Sequence, residues 1–529
     1  MAQAFTDISF EELEQLSARV EHAMTHKYSL TPEDSVLLIK ALASLMSLHS
    51  GHVSDKVTLQ KLRKLAGLVK SSETMQDLFG NNADKPPKNR SPKKPKPKIT
   101  VEPEVIEHKH QTLKAGETCP ECGKGKLATF SPATLLRVVG AVPFSAKLHK
   151  MEKFRCNACG AYFTAEVPDE VIADGDKGQR YGYSARTIMA LNKFFAGSPY
   201  CRQESMQTFM GMSLSASTVF DQTEKVANCL KPVYDCLLKI ASNAKSYYID
   251  DTHNKILDKV PIEKPKRNNK NGKKQKRTGV YSSGIVAVLD DGKEIVLYQT
   301  NIGHAGEFID ELLAKRDEST PLPLVMSDAL SHNKPSKVYS VSYCLCNSHG
   351  RRGFAEHINF YPEEMKKILE WYGKIWENDK EASRQNLSAA KRLAWHQTHS
   401  LPMMEKIQSW GQGVLETQEV EENSSLGKVI NYFNEHYHEL TAFCRFEGAA
   451  LDNNRVERAL KLVVRNRKNA LFFKTQIGAT LGDIITSLIA TASELNVNLF
   501  EYFNLLQRKQ DEVKANPEFY LPWNYRSQL

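Results

Sequence analysis

No stretch of this 529-residue chain approaches the roughly 18 consecutive apolar residues of a membrane span. The amino terminus, Met1-Ala-Gln-Ala-Phe-Thr-Asp, lacks the basic then apolar layout of a secretion signal. The chain therefore reads as soluble and cytoplasmic, with no membrane partner. Cysteine is sparse and unevenly placed: of ten, four form Cys119-x-x-Cys122 and Cys156-x-x-Cys159 and six are scattered. That excludes a disulfide framework and, in a reducing compartment, points to metal. Charge excess is also modest, at +9, but acid is missing altogether from two runs. Lys85 to Lys98 holds seven Lys/Arg and Lys264 to Arg277 holds eight. Such runs attract a polyanion through counterion release, which makes nucleic acid the leading partner; a solvated loop or linker is the other reading of either run alone. The remainder is ordinary globular composition, 41% hydrophobic and 25% charged, in a chain too long for a single core.

Residues 1–80 read as a helical or coiled-coil module. Leu37, Leu38, Ile39, Leu42, Leu45 and Met46 crowd one segment, and Leu59, Leu62, Leu65 and Leu68 recur at three-residue steps in the next. A small bundle fits the same pattern. Residues 81–104, rich in Pro and Lys, cannot bury a core and read as an extended basic linker. Residues 105–180 carry the cysteine pairs. In each, a glycine after the second Cys lets backbone amides face the thiolates, so Cys119, Cys122, Cys156 and Cys159 are expected to hold one structural, tetrahedral Zn2+ in a zinc ribbon. A redox site needs only one such pair, on a helix start. Residues 181–245 are helical with breaks at Gly197-Ser-Pro and Gly211-Met-Ser. That outline suits a helix-turn-helix whose last helix enters a major groove, and equally any three-helix bundle.

From Ser246 the period changes to that of strands: Tyr247–Ile249, a basic loop at Lys264–Arg277, Tyr281–Leu289, the turn Asp290-Asp-Gly, Glu294–Thr300, a helix Glu307–Lys315, then Leu324–Met326, with Val341-Ser-Tyr-Cys-Leu-Cys as a further strand. Asp250 and Asp328 each close an apolar strand run. Asn347-Ser-His-Gly-Arg-Arg follows, placing His349, Arg351 and Arg352 near them. The expected layout is the first part of a core over 246–361, an all-helical insertion over 362–446, a final core helix over 447–495 and a tail over 496–529. In that final helix, capped by Asp452 or Asn453, Val456, Leu460 and Val463 form an apolar stripe. Glu457, Lys461 and Lys468 fall on another row, with Arg465 beside it. An exposed Glu457–Lys461 pair is one reading of that row. The other is chemical, because two strand-borne carboxylates and one helix-borne carboxylate are what hard, oxygen-seeking cations need for phosphoryl transfer.

Asp250-Asp-Thr, Ser327-Asp-Ala, Ser348-His-Gly-Arg-Arg-Gly-Phe, and above all Asp452-Asn-Asn-Arg-Val-Glu-Arg-Ala followed by Arg467-Lys-Asn-Ala-Leu-Phe, resemble the insertion sequence 66 family of bacterial transposases, which carry a DDE triad. The zinc knuckles, the basic linker, the amino-terminal helices and the closing Leu521-Pro-Trp-Asn-Tyr fit the same family, so the resemblance spans nearly the whole chain. It differs in Asp251, where the family commonly has glutamate, and in Ser348-His-Gly-Arg-Arg, where Ala-His-Ala-Arg-Arg is usual. The resemblance implies a multidomain α/β protein with a ribonuclease-H-like catalytic core. In such a sheet the first and fourth strands are neighbours, which would bring Asp250 and Asp328 together.

It further implies Asp250, Asp328 and Glu457 as catalytic ligands of two Mg2+ (or Mn2+) ions, with His349, Arg351, Arg352, Arg458, Lys461, Arg465 and Lys468 on DNA phosphates. The implied activity is DNA transposition: metal-dependent cleavage at transposon ends and strand transfer into target DNA. The implied partners are double-stranded DNA, further copies of the chain and accessory proteins of the element, with the protein on the nucleoid when active. A hydrolysis-only nuclease of the same fold, and a catalytically inert, domesticated zinc-ribbon DNA-binding protein, are the alternatives.

Overall fold

Tyr247-Tyr-Ile and Ile285-Val-Ala-Val are the runs around which the chain assembles. The computed structural model describes residues 142–155, 157, 162–176, 178–259, 261–265, 274–336 and 338–525, with scattered positions between 15 and 34 and between 114 and 129. In chain order the elements are β1 (Lys153–Arg155), β2 (Tyr162–Thr164), α1 (Asp169–Ala173), α2 (Tyr183–Phe194), α3 (Tyr200–Phe209), α4 (Ala216–Ala241), β3 (Ser246–Asn254), β4 (Ile262–Pro265), β5 (Lys274–Arg277), β6 (Val280–Val288), β7 (Glu294–Asn301) and α5 (Ala305–Leu313). Then follow β8 (Leu324–Ser327), β9 (Ser342–Leu345), α6 (Asn347–Glu356), α7 (Pro362–Arg384), α8 (Ala389–His399), α9 (Leu401–Glu416), α10 (Ser425–Glu435), α11 (Tyr437–Leu440), α12 (Asn454–Ala470), α13 (Gln476–Glu494), α14 (Leu499–Arg508) and α15 (Gln510–Ala515).

The main sheet is mixed and five-stranded, ordered β7-β6-β3-β8-β9. β3, β6 and β7 run antiparallel, whereas β8 joins β3 and β9 joins β8 in parallel. Ser246–Ile249 and Ser282–Val288 are buried without a break, the pattern of strands covered on both faces. Tyr247, Ile249, Ile285, Ala287, Ile295, Leu297 and Val325 point to one core, which α2, α4, α5, α13 and α14 complete. The opposite face, carrying Tyr248, Asp250 and Gly284, is crossed by α12.

The outer edge at β7 is closed by α13. Asp483, Ser487 and Thr491 recur every four residues along that helix and accept from the amides of Thr300 (2.6 Å), Tyr298 (3.0 Å) and Val296 (3.0 Å). The match is metrical: four helical residues rise about 6 Å and two strand residues about 6.6 Å. The otherwise unpaired donors of an edge strand are thereby satisfied.

Four expectations change. β3 does not end at Ile249 but continues through the polar Asp250-Asp-Thr-His-Asn to residue 254, because β6 pairs with it along its whole length. The basic run over Lys264–Arg277 is not a loop throughout, and its residues 266–273 lie outside the described residues. Its ends pair as the β4–β5 hairpin, with Glu263 opposite Lys276, an attraction across the ladder. Segment 181–245 does form three helices, but Val226, Ala227, Leu230, Val233 and Leu237 of α4 lie in the same core as the sheet. Its 26 residues are shared scaffold rather than a free-standing reading module. Nor does the carboxyl-terminal segment trail: Tyr502, Phe503, Leu506, Tyr520 and Tyr525 are buried in that core, and Tyr502 donates to the Tyr520 carbonyl at 2.8 Å.

The chain divides into two compact units, Met1–Pro87 with Glu356–Glu370 and Lys88–Ala355 with Trp371–Leu529. In the first, Leu16 is buried and Arg19 pairs with Asp34 at 3.0 Å; the leucines expected to define its helices, and the basic linker, lie outside the described residues. In the second, Cys119, Cys122, Cys156 and Cys159 also lie outside them. Around those positions in the sequence, Thr118 pairs with Lys126 and β1 pairs with β2, both antiparallel. Among the described residues no helix is long and apolar enough to cross a membrane.

Candidate active site

Asp250 and Asp328 are brought together by strand register. β3 and β8 pair as Ser246 with Leu324, Tyr247 with Val325 and Tyr248 with Met326. Carried two residues further, the same offset sets Asp250 level with Asp328, the residue directly after β8. Neighbouring strands lie about 4.8 Å apart, so the two carboxylates share one edge of the sheet. Asp328 is oriented by its own turn: its Oδ1 accepts from Asn333 Nδ2 at 2.9 Å and from the Leu330 amide at 3.3 Å.

Glu457 arrives from above. On its other side Asp250 is paired with Gly284 of β6, and a Cβ at Gly284 would stand 2.9 Å from Leu460 Cδ2 and 3.4 Å from Val456 Cγ2. The missing side chain lets α12 settle onto the sheet beside Asp250, burying the stripe of Val456, Leu460 and Val463. Glu457, adjacent to Val456, comes with it. Asn453 fixes the start of that helix. Its side chain makes no cap bond; instead Nδ2 donates to the Ile249 carbonyl at 3.0 Å, one residue before Asp250, and its amide donates to Cys346 Sγ at 3.3 Å. Asp452 takes the cap-like role, accepting from the Asn454 amide at 3.1 Å. At the far end Arg467 donates to Thr252 Oγ1 at 2.7 Å, so α12 is tied to β3 at both ends.

The charges respond to this crowding. Burial, and then the neighbouring Asp328, push the Asp250 carboxyl up to about 7; the Asp251 amide opposes the shift, and Asp251 and Glu457 add to it. His349 is pushed down by burial and by Arg352, against the pull of Asp328 and Glu457. Glu457 Oε1 and His349 Nδ1 are buried without a hydrogen-bond partner. Among the described residues none of the three acids takes part in an ion pair. Carboxylates are the donors that a divalent, oxygen-preferring ion takes; here Asp328 and Glu457 both act on the Asp250 carboxyl, and Glu457 offers an orphaned oxygen.

The expected phosphate ligands divide. His349 and Arg352 flank the acids on α6, and Arg458, Lys461 and Lys468 are exposed along α12. Arg465, also exposed, is engaged within the protein: its guanidinium donates to the Phe195 carbonyl and lies 5.6 Å from that ring. Arg351 is half-buried. Three residues at the site went unread in the sequence: Gly284, the side-chain role of Asn453, and Cys346. The glycine within an apolar strand and the Cys346-x-x-His349 spacing were the available signals.

The chain is 23% identical over 452 residues to the uncharacterized protein y4hP of Sinorhizobium fredii (strain NBRC 101917 / NGR234), covering 80% of this chain and 76% of that protein. It is 25% identical over 393 residues to the uncharacterized protein y4jD of the same organism, covering 71% of each. A family profile described as the transposase IS66 family matches residues 178–481, more than half of the chain and a span that includes Asp250, Asp328, His349 and Glu457. The chain belongs to the IS66 family of transposases.

Proposed function

We propose that the protein cleaves DNA at the ends of its element and joins the freed ends to target DNA, with Asp250, Asp328 and Glu457 as the acid triad of a ribonuclease-H-like core. What supports this reading is the β3–β8 register that sets Asp250 level with Asp328, the seating of α12 over Gly284 beside Asp250 and the upward push of Asp328 and Glu457 on the Asp250 carboxyl. The sheet order β7-β6-β3-β8-β9, with its antiparallel and parallel halves, supports the fold assignment. Asp250, Asp328 and Glu457 would hold Mg2+ or Mn2+, which when bound supplies charge neutralisation at the phosphate and acidifies the attacking hydroxyl.

The protein's own groups position the substrate. Arg352, Arg458, Lys461 and Lys468 present donors to successive phosphates; Glu457 and Lys468 are separated by about 16 Å of helix, the length of several nucleotides. The acid-free run Lys264–Arg277, whose ends lie in the β4–β5 hairpin, adds sequence-independent attraction. We further propose one structural Zn2+ on Cys119, Cys122, Cys156 and Cys159, and action as a homo-oligomer on double-stranded DNA. The test is incubation of the full chain and Mg2+ with a pre-cleaved element end and a target plasmid. Covalent end-to-target product is the expected result; nicking without joining would mark a nuclease that only hydrolyses.

A further inference from the structure

We infer that Cys346, His349 and Glu457 form a second metal site, for a thiophilic divalent ion such as Zn2+, which shares its carboxylate with the acid triad. One donor atom from each of the three side chains lies within 4.8 Å of the others. Zinc binds sulfur at about 2.3 Å and nitrogen or oxygen at about 2.0–2.2 Å, so tetrahedral donors stand about 3.3–3.7 Å apart. Closing the gap takes side-chain rotation of about 1 Å, without movement of the helices.

Three further features suit the site to such an ion. Glu457 Oε1 and His349 Nδ1 are buried with no hydrogen-bond partner, a costly arrangement that a ligand would relieve. Cys346 Sγ already accepts from the Asn453 amide at 3.3 Å, the outer-shell bond that steadies a metal thiolate. Cys346 follows directly on β9 and its amide donates to the Ser327 carbonyl at 3.1 Å, while His349 lies in the first turn of α6, so backbone structure holds both ligands in place. The donor set differs in kind from three carboxylates: sulfur and imidazole select Zn2+ over Mg2+. Binding releases the thiol proton to solvent and leaves the ion's charge unchanged. With Glu457 so engaged, Asp250 and Asp328 keep only two thirds of their set, and Zn2+ acts as a competitor of the hard ion. The existence of the site is independent of the proposed chemistry, whereas the competition rests on it.

Cobalt(II) is the probe, because a thiolate–cobalt bond gives a charge-transfer band. The full chain and its Cys346→Ser variant are titrated with Co2+. Any zinc-ribbon thiolates are common to both and cancel in the difference. The expected difference spectrum contains the sulfur-to-cobalt band, with about one ion per chain fewer in the variant, and His349→Ala, an independent substitution, diminishes the same band. Identical spectra and ion counts in the wild type and both variants would overturn the site. For the competition, Zn2+ is titrated into Mg2+-supported cleavage. A half-inhibitory concentration at least about tenfold higher in Cys346→Ser, as expected for loss of a thiolate ligand, supports sharing of Glu457; equal inhibition overturns it. The cobalt arm reads out even if the protein joins no DNA.

Discussion

Gly284 and Leu460 are in contact so close that any side chain at 284 would collide, its Cβ standing 2.9 Å from Leu460 Cδ2. This contact sets the height of α12 above the sheet and hence of Glu457 above Asp250. Gly284→Ala is expected to destabilise the fold by about 1–3 kcal/mol through overpacking, and to lower cleavage more than DNA binding. Thermal unfolding together with cleavage and binding assays checks both parts; unchanged cleavage would mean that the helix height is not set here.

Asn453 links α12 to the carbonyl beside Asp250. Asn453→Ala removes that bond and leaves the Ile249 carbonyl unpaired, a loss of about 1–3 kcal/mol. Because Asn453 positions rather than reacts, the turnover of bound DNA is expected to fall while affinity for DNA holds. A loss confined to affinity would contradict that role.

Asp483, buried in α13, has its carboxyl pushed up to about 7 by burial, opposed in part by its two hydrogen bonds from Thr300. A folded value above the unfolded 3.8 means that its contribution to stability is full below pH 3.8 and is lost as pH rises through about 7. Asp483→Asn removes the ionisation, and its one carboxamide oxygen can take the place of Asp483 Oδ2, which accepts from the Thr300 amide. The variant is therefore expected to gain on the wild type between pH 4 and pH 8, by at most about 4 kcal/mol. Unfolding midpoints measured across that range test the sign: a variant that loses ground as pH rises would contradict it.

Part of this was legible beforehand. The stripe of Val456, Leu460 and Val463 is buried as its spacing implied, and β3, β6, β7, β8 and β9 fall on the runs read as strands. What failed was the reading of polar segments. Asp250-Asp-Thr-His-Asn looks like the end of a strand because hydrophobic alternation stops there, yet the backbone ladder to β6 continues, and backbone pairing leaves no trace in side-chain type. The third helix of segment 181–245 matches a recognition helix in outline; only its partners across the core, Tyr247 and Leu488 among others, reveal it as scaffold. Asn453 reads as a cap from sequence, since its bond to a carbonyl 204 residues away is a tertiary fact. The level placement of Asp250 and Asp328 likewise depends on strand register, which no local pattern encodes.

Three acids without a countercharge should be relieved by a divalent ion. Mg2+ or Mn2+ at millimolar concentration is expected to raise the unfolding midpoint of the wild type, since an ion at about 100 times its dissociation constant adds about 2.7 kcal/mol. The same addition should have little effect on Asp250→Asn. An equal rise in the variant would place the ion elsewhere.

The central claim is that Glu457 acts with Asp250 and Asp328. Its most direct measurement is single-turnover cleavage of an element end by Glu457→Gln, with end binding followed in parallel. The account predicts cleavage reduced at least about 100-fold with binding nearly unchanged, because glutamine keeps the shape but not the charge. Cleavage by Glu457→Gln at the wild-type rate would contradict it.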